Sequence, residues 1–559
     1  MEASRITTAA IVLFILTAPL AGLPHLAGNT PDMEQSSIQH PIIQPGSTAW
    51  RNDESSGCKD IVAVDAATRG NYSLLLKVRD PSRPGYQVLC PIEAGYEYTY
   101  HHPWTGLPMH FTVQHRFIGT TSAEDVPPGI IKPGMLMSDA GLAFGDADTL
   151  SYRVNPTRHA WDDFDWMRYA AQSADTFDEA VQLLTEDAIG RLHCTSVPEN
   201  IFVASPYEAA IIEADAYTYR TRQVNDVAVQ SNYPKVLWQT YLMYPLLVAP
   251  SFNSTYQGTA TAGDIVRLGS LGGIRVIDTS QAGITVRALP FGAPTDIDNG
   301  EGAPVGSYYV EVHASSASGA TLSISYKYHT WETLLRQRIT ARQGDITLQD
   351  MFTWSRLHSH DISGLRGMCQ GGYEAATVYR LQQRYPATLS SLWFAPNQCS
   401  AIYVPVHIYS QDIYDPYETG EAHRVAMQLL ERYGHGNLTE MYTGPEARFI
   451  EEVATAEHEA MQLLDQGRGN EAVELLTLTD LRIQMEALAV MQLWLNLSRL
   501  PSHLASRLAL ELLDIWSHND GQALPEAMTA VSRAMHRYPG YMQHLGCIQR
   551  LLSAIAAIR

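Results

Sequence analysis

The chain has 559 residues, too many for one hydrophobic core, so two to four domains are expected. Its 38 Lys plus Arg stand against 59 Asp plus Glu, a net charge of −21. That acidic balance argues against nucleic acid or an anionic membrane surface as a partner.

Residues 1–28 read as an export segment. Arg5 is the early positive charge, Ile11-Val12-Leu13-Phe14-Ile15-Leu16 the apolar core, and Ala18 to Ala21 supply small residues for cleavage. The run is short for a spanning helix, but left uncleaved it would be a membrane anchor. No later stretch has ~18 unbroken apolar residues. The protein is expected outside the cell or on its surface. Residues 29–57 are polar, carry Pro31, Pro41 and Pro45, and lack periodicity, which predicts a pro-segment.

The small run Ser55-Ser56-Gly57-Cys58 leads straight into Lys59-Asp60-Ile61-Val62-Ala63-Val64, an apolar strand. A chain cut before Cys58 would begin with that cysteine. Its α-amine, with a pKa near ~8, would then sit beside the sulfur as a base. The thiolate is the reactive form. The local residues alone equally suit a half-cystine or a small buried side chain.

After a turn at Arg69-Gly70-Asn71, Tyr72 to Val78 returns as the second arm of a hairpin. Tyr86 to Leu89 and Met109 to Val113 are further strands. The aromatic run Tyr96 to Trp104 between them suits a pocket lining or plain packing. Met135 to Asp146 reads as two arms around an Asp139-Ala140-Gly141 turn. Residues 159–187 have helical spacing, with Thr176 as a cap. Asn200 to Val203, Ala209 to Glu213 and Val227 to Asn232 are strands again. Residues 255–328 are rich in Gly, Ser and Thr and alternate, which predicts an antiparallel β insertion with its own core, removable without loss of function. Layered α+β pattern resumes over 329–418, with strands at Ala376 to Leu381, Ser391 to Ala395 and Ala401 to Val406. Residues 419–559 are helical, broken at Gly467-Arg468-Gly469 and Pro501.

The six cysteines are Cys58, Cys90, Cys194, Cys369, Cys399 and Cys547. None forms a CxxC pair, which argues against a zinc knuckle. Pairing among some of them is expected in an exported protein, and with Cys58 free at least one other stays unpaired. His358, His360 and His407 do not stand at metal-ligand spacing with carboxylates, so no metal and no cofactor are expected. Asn71, Asn253, Asn437 and Asn496 head glycosylation sequons.

Several short motifs recur in a familiar order. They are Gly57-Cys58 at a strand start, Lys77-Val78-Arg79-Asp80 after the first hairpin, and Ser138-Asp139-Ala140-Gly141-Leu142-Ala143. Glu199 to Ala204 with Ala210 to Glu213, Ser231-Asn232, and Ser391 to Ala395 with Tyr403-Val404-Pro405 follow. Together, residues 58–254 and 329–418 resemble the cysteine N-terminal-nucleophile hydrolases. The closest look is to secreted cysteine dipeptidases and the penicillin-acyltransferase-like group, with choloylglycine (bile-salt) hydrolases as more distant kin. The resemblance implies a four-layer αββα sandwich, interrupted by the β insertion and followed by an all-α region. It implies Cys58 as the nucleophile, released by autoproteolysis, and Asp80 as the acceptor that holds its amine. It makes Asn232 an oxyanion donor and Lys77, Arg79 and Asp146 substrate contacts. One departure is that Val78 stands where relatives carry Asn in Arg-Asn-x-Asp.

The implied activity is hydrolysis of a linear amide in a dipeptide, an N-acyl amino acid or another small acylated amine, through an acyl-thioester. Acyl transfer to an amine is the first rival. A non-catalytic surface binding protein is the second, and a Cys–His enzyme using His101 or His102 a third. A homo-oligomer stays open.

Overall fold

The computed structural model describes residues 57–559 apart from 81–84, 128–131, 150, 152, 242, 291, 371–372, 506 and 509–522. The expected export segment and pro-segment lie outside the described residues, except Gly57. So does part of the expected helical stretch after Pro501.

Apolar, β-branched strands build two large antiparallel sheets. β1 (Lys59–Ala63) pairs with β2 (Tyr72–Arg79), Ile61 opposite Leu76. The chain then crosses to a second sheet with β3 (Gln87–Ile92). A hairpin of β4 (Glu97–His101) and β5 (Pro108–Thr112) stands apart before β6 (Phe117–Ser122), β7 (Met135–Ser138) and β8 (Leu142–Asp148) continue that sheet. The turn from β7 to β8 uses the positive φ of Gly141, 77°. β9 (Glu199–Ala204), β10 (Ala209–Ala214) and β11 (Tyr219–Val224) complete the second sheet. β12 (Val227–Ser231) returns to the first and pairs with β1, Ile61 opposite Val229. Eight strands from β13 (Thr255–Ala260) to β20 (Gly319–Tyr326) form two four-stranded sheets. β21 (Ala375–Gln382), β22 (Ser391–Ala395) and β23 (Val404–His407) finish the first sheet, whose order is β12-β1-β2-β21-β22-β23. The second runs β11-β10-β9-β8-β7-β6-β3.

Side chains alternate across each strand, and the two apolar clusters divide with that period of two. On β7, Met135 and Met137 join the cluster shared with the first sheet, while Leu136 joins the helices outside. Phe202 and Ala204 on β9 split from Ile201 and Val203 in the same way. β8 packs against β1, β2, β12 and β21, so the two sheets lie face to face. The helix Asp163–Ala171, capped by Asp162, packs on β7 and β8, and the helix Phe177–Gln182, capped by Thr176, packs on β9. On the far side, the helix Lys327–Thr340 lies on β12, and Leu348–Ser355 on β2 and β21.

The helical tail is part of this body, since Ser55–Arg559 cluster as one compact unit. The helix Gly469–Leu497 packs on β23. Buried ion pairs fasten the tail to an outer helix end and to the first sheet. Arg356 meets Glu446 of the helix Thr439–Asp465 at 2.6 Å, and His407 meets Asp480 at 3.0 Å. Among the described residues, no helix is long and apolar enough to cross a membrane.

The β insertion is tied in more firmly than its composition suggests. Its first and last strands pair, Thr255 opposite Ser325, so its ends are adjacent. Its apolar residues nevertheless belong to the main core cluster rather than to a core of their own. Tyr326, inside the 255–328 boundary, sits in an aromatic cluster with Tyr233, Trp238, Tyr244 and Phe252. Tyr308 donates to the Val248 carbonyl at 3.0 Å. Deleting 255–328 would therefore remove residues of the main core cluster.

Candidate active site

Register alone gathers the first group of residues. Lys59 is opposite Ser231 on one side and Val78 on the other. One step earlier, Cys58 lies between Asn232 and Arg79, and one step earlier again Gly57 meets Asp80. The Gly57 N–H donates to the Asp80 carboxylate at 2.8 Å. The Ser231 hydroxyl donates to the Cys58 carbonyl at 2.5 Å.

Cys58 is buried. Burial pushes its thiol up to about 12, against the pull of Lys77 and with Asp146, Asp148 and Asp60 adding to the rise. Lys77 is fully buried beside it. Its ammonium donates to the Asp146 carbonyl and stands 3.0 Å from the Asp146 carboxylate and 3.8 Å from that of Asp60. Burial alone would lower Lys77, but Asp146, Asp60 and Cys58 outweigh it and hold the ammonium well above its usual range. Asp60 moves well upward, through burial first. Neither of its oxygens has a hydrogen bond among the described residues. Gly145 makes room for it, since a Cβ there would lie 2.5 Å from Asp60 Oδ1.

Asp146, Asp148 and Glu199 bring carboxylate oxygens within 4.8 Å of one another. The Lys77 ammonium already supplies a cation against that group. Asp148 is exposed, and Asn232, Asp80 and Gly57 are half-buried, so this side opens to solvent.

The expected residues do not all take their expected places. Cys58, Lys77, Asp80, Asn232 and Asp146 come together. Arg79 reaches across to Gln87 and Ser122 and lies over the Phe164 ring, 5.1 Å from its centroid. That fixes its guanidinium between elements rather than at the mouth. The Asn232 amide is also engaged. Its Nδ2 donates to the Asp148 carbonyl at 2.8 Å, and its Oδ1 accepts from Arg366 Nη1 at 3.2 Å.

Arg366 is the residue that sequence reasoning missed. It lies in the loop before β21, far from Cys58 in the chain. Its Nη1 also donates to the Ser231 hydroxyl at 3.1 Å, and its carbonyl accepts from Trp331 at 2.7 Å. Its Nη2 is buried and without a hydrogen bond among the described residues. A Cβ on Gly57 would lie 2.2 Å from Asn232 Oδ1 and 2.5 Å from Arg366 Nη2. Only glycine fits there. This guanidinium nitrogen thus abuts the residue that precedes the thiol.

The Cys–His alternative finds no support. His101 stacks on Tyr100 at 4.0 Å, and His102 Nδ1 accepts from the Trp104 N–H at 3.2 Å. The aromatic run is packing: Tyr98 donates to Gln172 at 2.6 Å and Tyr100 to Asp165 at 2.7 Å. All six cysteines are unpaired. A cavity of about 150 Å³ lined by Arg222, Lys235 and Glu332 lies toward the other end of β12 from Asn232.

No family model matches the chain, and no curated protein matches it by sequence. Among solved structures, it is similar to penicillin V acylase from Agrobacterium tumefaciens, with 13% identity and a TM-score of 0.24 over 33% of this chain. The match spans about half of that acylase, 55% of its length. The chain is also similar to a mutant conjugated bile acid hydrolase from Clostridium perfringens, with 11% identity and a TM-score of 0.34 over 63% of this chain and 93% of the other.

Proposed function

We propose that the chain is an exported amidohydrolase of the N-terminal-nucleophile kind, which cleaves a small linear amide through an acyl-thioester on Cys58. The observation that carries this reading is the ring of groups at Gly57–Cys58. Asp80 takes the amide N–H before the thiol, Arg366 and Asn232 abut Gly57, and the Lys77 cation lies beside the sulfur. In this reading the two facing sheets and their outer helices are the four-layer αββα sandwich of that superfamily.

The uncut chain has no amine at Cys58, and its thiol, up at about 12, is protonated at neutral pH. Maturation supplies the missing base. The Cys58 sulfur attacks the Gly57 carbonyl, and its proton passes to the Cys58 nitrogen as the carbon–nitrogen bond breaks. Water then cleaves the thioester and leaves Gly57 as a carboxylate and Cys58 with a free amine. Asp80, relieved of the Gly57 N–H, accepts from that amine instead.

Turnover repeats the chemistry on substrate. The amine takes the thiol proton, the sulfur attacks the acyl carbon, and the amine returns the proton to the leaving nitrogen. Water releases the acid. We assign the oxyanion donor to Arg366 Nη2, which has no hydrogen-bond acceptor among the described residues, with Asn232 orienting the guanidinium through its Oδ1. Dipeptides, N-acyl amino acids and other small acylated amines are the substrates to try. Incubating the mature protein with such a panel and following the freed amine tests this. Hydrolysis lost in Cys58→Ala supports it, and cleavage that persists in Cys58→Ala overturns it.

A further inference from the structure

The fold gathers two histidines and two cysteines at one point. His358 follows the helix Leu348–Ser355, and Cys369 lies further along the same loop. Cys399 comes from the connection between β22 and β23. His435 comes from the connection between the helices Glu421–Tyr433 and Thr439–Asp465. Their four ligand atoms all lie within 4.8 Å of one another. His358 Nε2 is 3.2 Å from Cys399 Sγ, and His435 Nδ1 is 3.9 Å from Cys369 Sγ. The two imidazoles approach at 76° to each other. Both cysteines are buried and neither is in a disulfide.

We propose that His358, Cys369, Cys399 and His435 form a structural zinc site. Zinc takes tetrahedral sulfur and nitrogen sets with Zn–S near ~2.3 Å and Zn–N near ~2.0–2.1 Å, so the edges of such a tetrahedron are roughly 3.3–3.8 Å. The separations of 3.2 and 3.9 Å bracket that range. Thiolate and imidazole donors together select zinc over the hard cations. Four protein donors leave no open position, which makes the site structural rather than catalytic.

The surroundings are built for it. The Gly436 N–H donates to Cys399 Sγ at 3.1 Å, a bond that favours a thiolate. The Cys369 N–H donates to the Leu357 carbonyl at 2.9 Å and closes the loop between the first two donors. Gly367 lets that loop fold on itself, since a Cβ there would lie 2.6 Å from the Cys369 carbonyl oxygen. Binding replaces two thiol protons by Zn²⁺, and the protons leave to solvent.

The expectation of no metal came from spacing along the chain. A set drawn from three separate loops shows no CxxC and no paired histidines, so spacing could not reveal it. Bound there, zinc would pin the Arg366 loop to the helical tail. That role rests on the functional reading above, but the metal site does not.

The test is zinc per chain in full-length protein purified without chelators or metal resin. One zinc per chain is expected. A mercurial thiol reagent should release it. Cys399→Ser and His435→Ala should each lower it at least tenfold, while Cys90→Ser leaves it unchanged. If those variants fail to fold, Co²⁺ loaded into the wild-type chain should show the visible absorption of a tetrahedral thiolate site. Protein with no zinc after growth in zinc-supplied medium, or with Cys369 and Cys399 joined in a disulfide by peptide mass mapping, overturns the proposal. Zinc retained without amide hydrolysis would leave the site standing and refute the enzyme reading alone.

Discussion

The two faces of β1 bury charge in opposite ways. On one face the Lys59 ammonium meets Glu374 at 2.7 Å, both side chains fully buried. Glu374 also accepts from the Gln370 N–H at 2.8 Å and from Gln398 at 2.9 Å. On the other face Asp60 has no hydrogen bond among the described residues, its cation is 3.8 Å away, and the Cys58 thiol is pushed up to about 12. A buried charge whose partners are all present is a structural fastening. A buried cluster left short of partners is where perturbed acid–base groups are kept for chemistry.

The sharpest way to break this comparison is at the sulfur. Cys58→Ala should cut turnover by roughly 10³-fold or more. It should also stay uncut, and its urea midpoint should barely move. The paired face should respond the other way. Glu374→Ala strands the Lys59 ammonium and should cost about 4 kcal/mol in urea unfolding, with kcat retained in the folded fraction. Lys77→Met, on the unsatisfied face, should lose turnover before stability.

His407 belongs with the paired kind. It lies between Asp480 and Glu457, each at 3.0 Å. Burial alone would lower it, but Asp480 and then Glu457 raise it from 6.5 to about 9. A raised histidine stabilises fully below the unfolded value and loses that contribution as pH climbs through the folded one. Unfolding free energy should therefore fall by about 3 kcal/mol between pH 6.5 and pH 9. His407→Gln should flatten that slope. The smallest effect is at the donors. Arg366→Ala should lower kcat about 10²-fold with KM little changed. Asn232→Ala should cost less, because its amide donor is already held by Asp148. An Asn232 effect larger than that of Arg366 would return the oxyanion role to the asparagine.

Much of this was legible because local rules decided it. β1 and β2 alternate or run apolar around a Gly-Asn turn, Thr176 caps its helix, and Gly141 sits where a positive φ is needed. Cys58, Asp80 and Asn232 were named from the family resemblance, and the pairing of β1 with β2 and with the distant β12 brings them together. β11 was missed because Tyr219-Arg220-Thr221-Arg222 is a polar, exposed edge and carries no apolar pattern. The tail's attachment was missed because Arg356–Glu446 and His407–Asp480 join residues that nothing in the sequence pairs. Arg366 was missed for the same reason.

The amino-terminal sequence and mass of the purified, active protein test the central claim most directly. The account predicts that active chains begin at Cys58 and that Cys58→Ala chains keep the residues before it. Active protein that still carries residues 50–57 would contradict it.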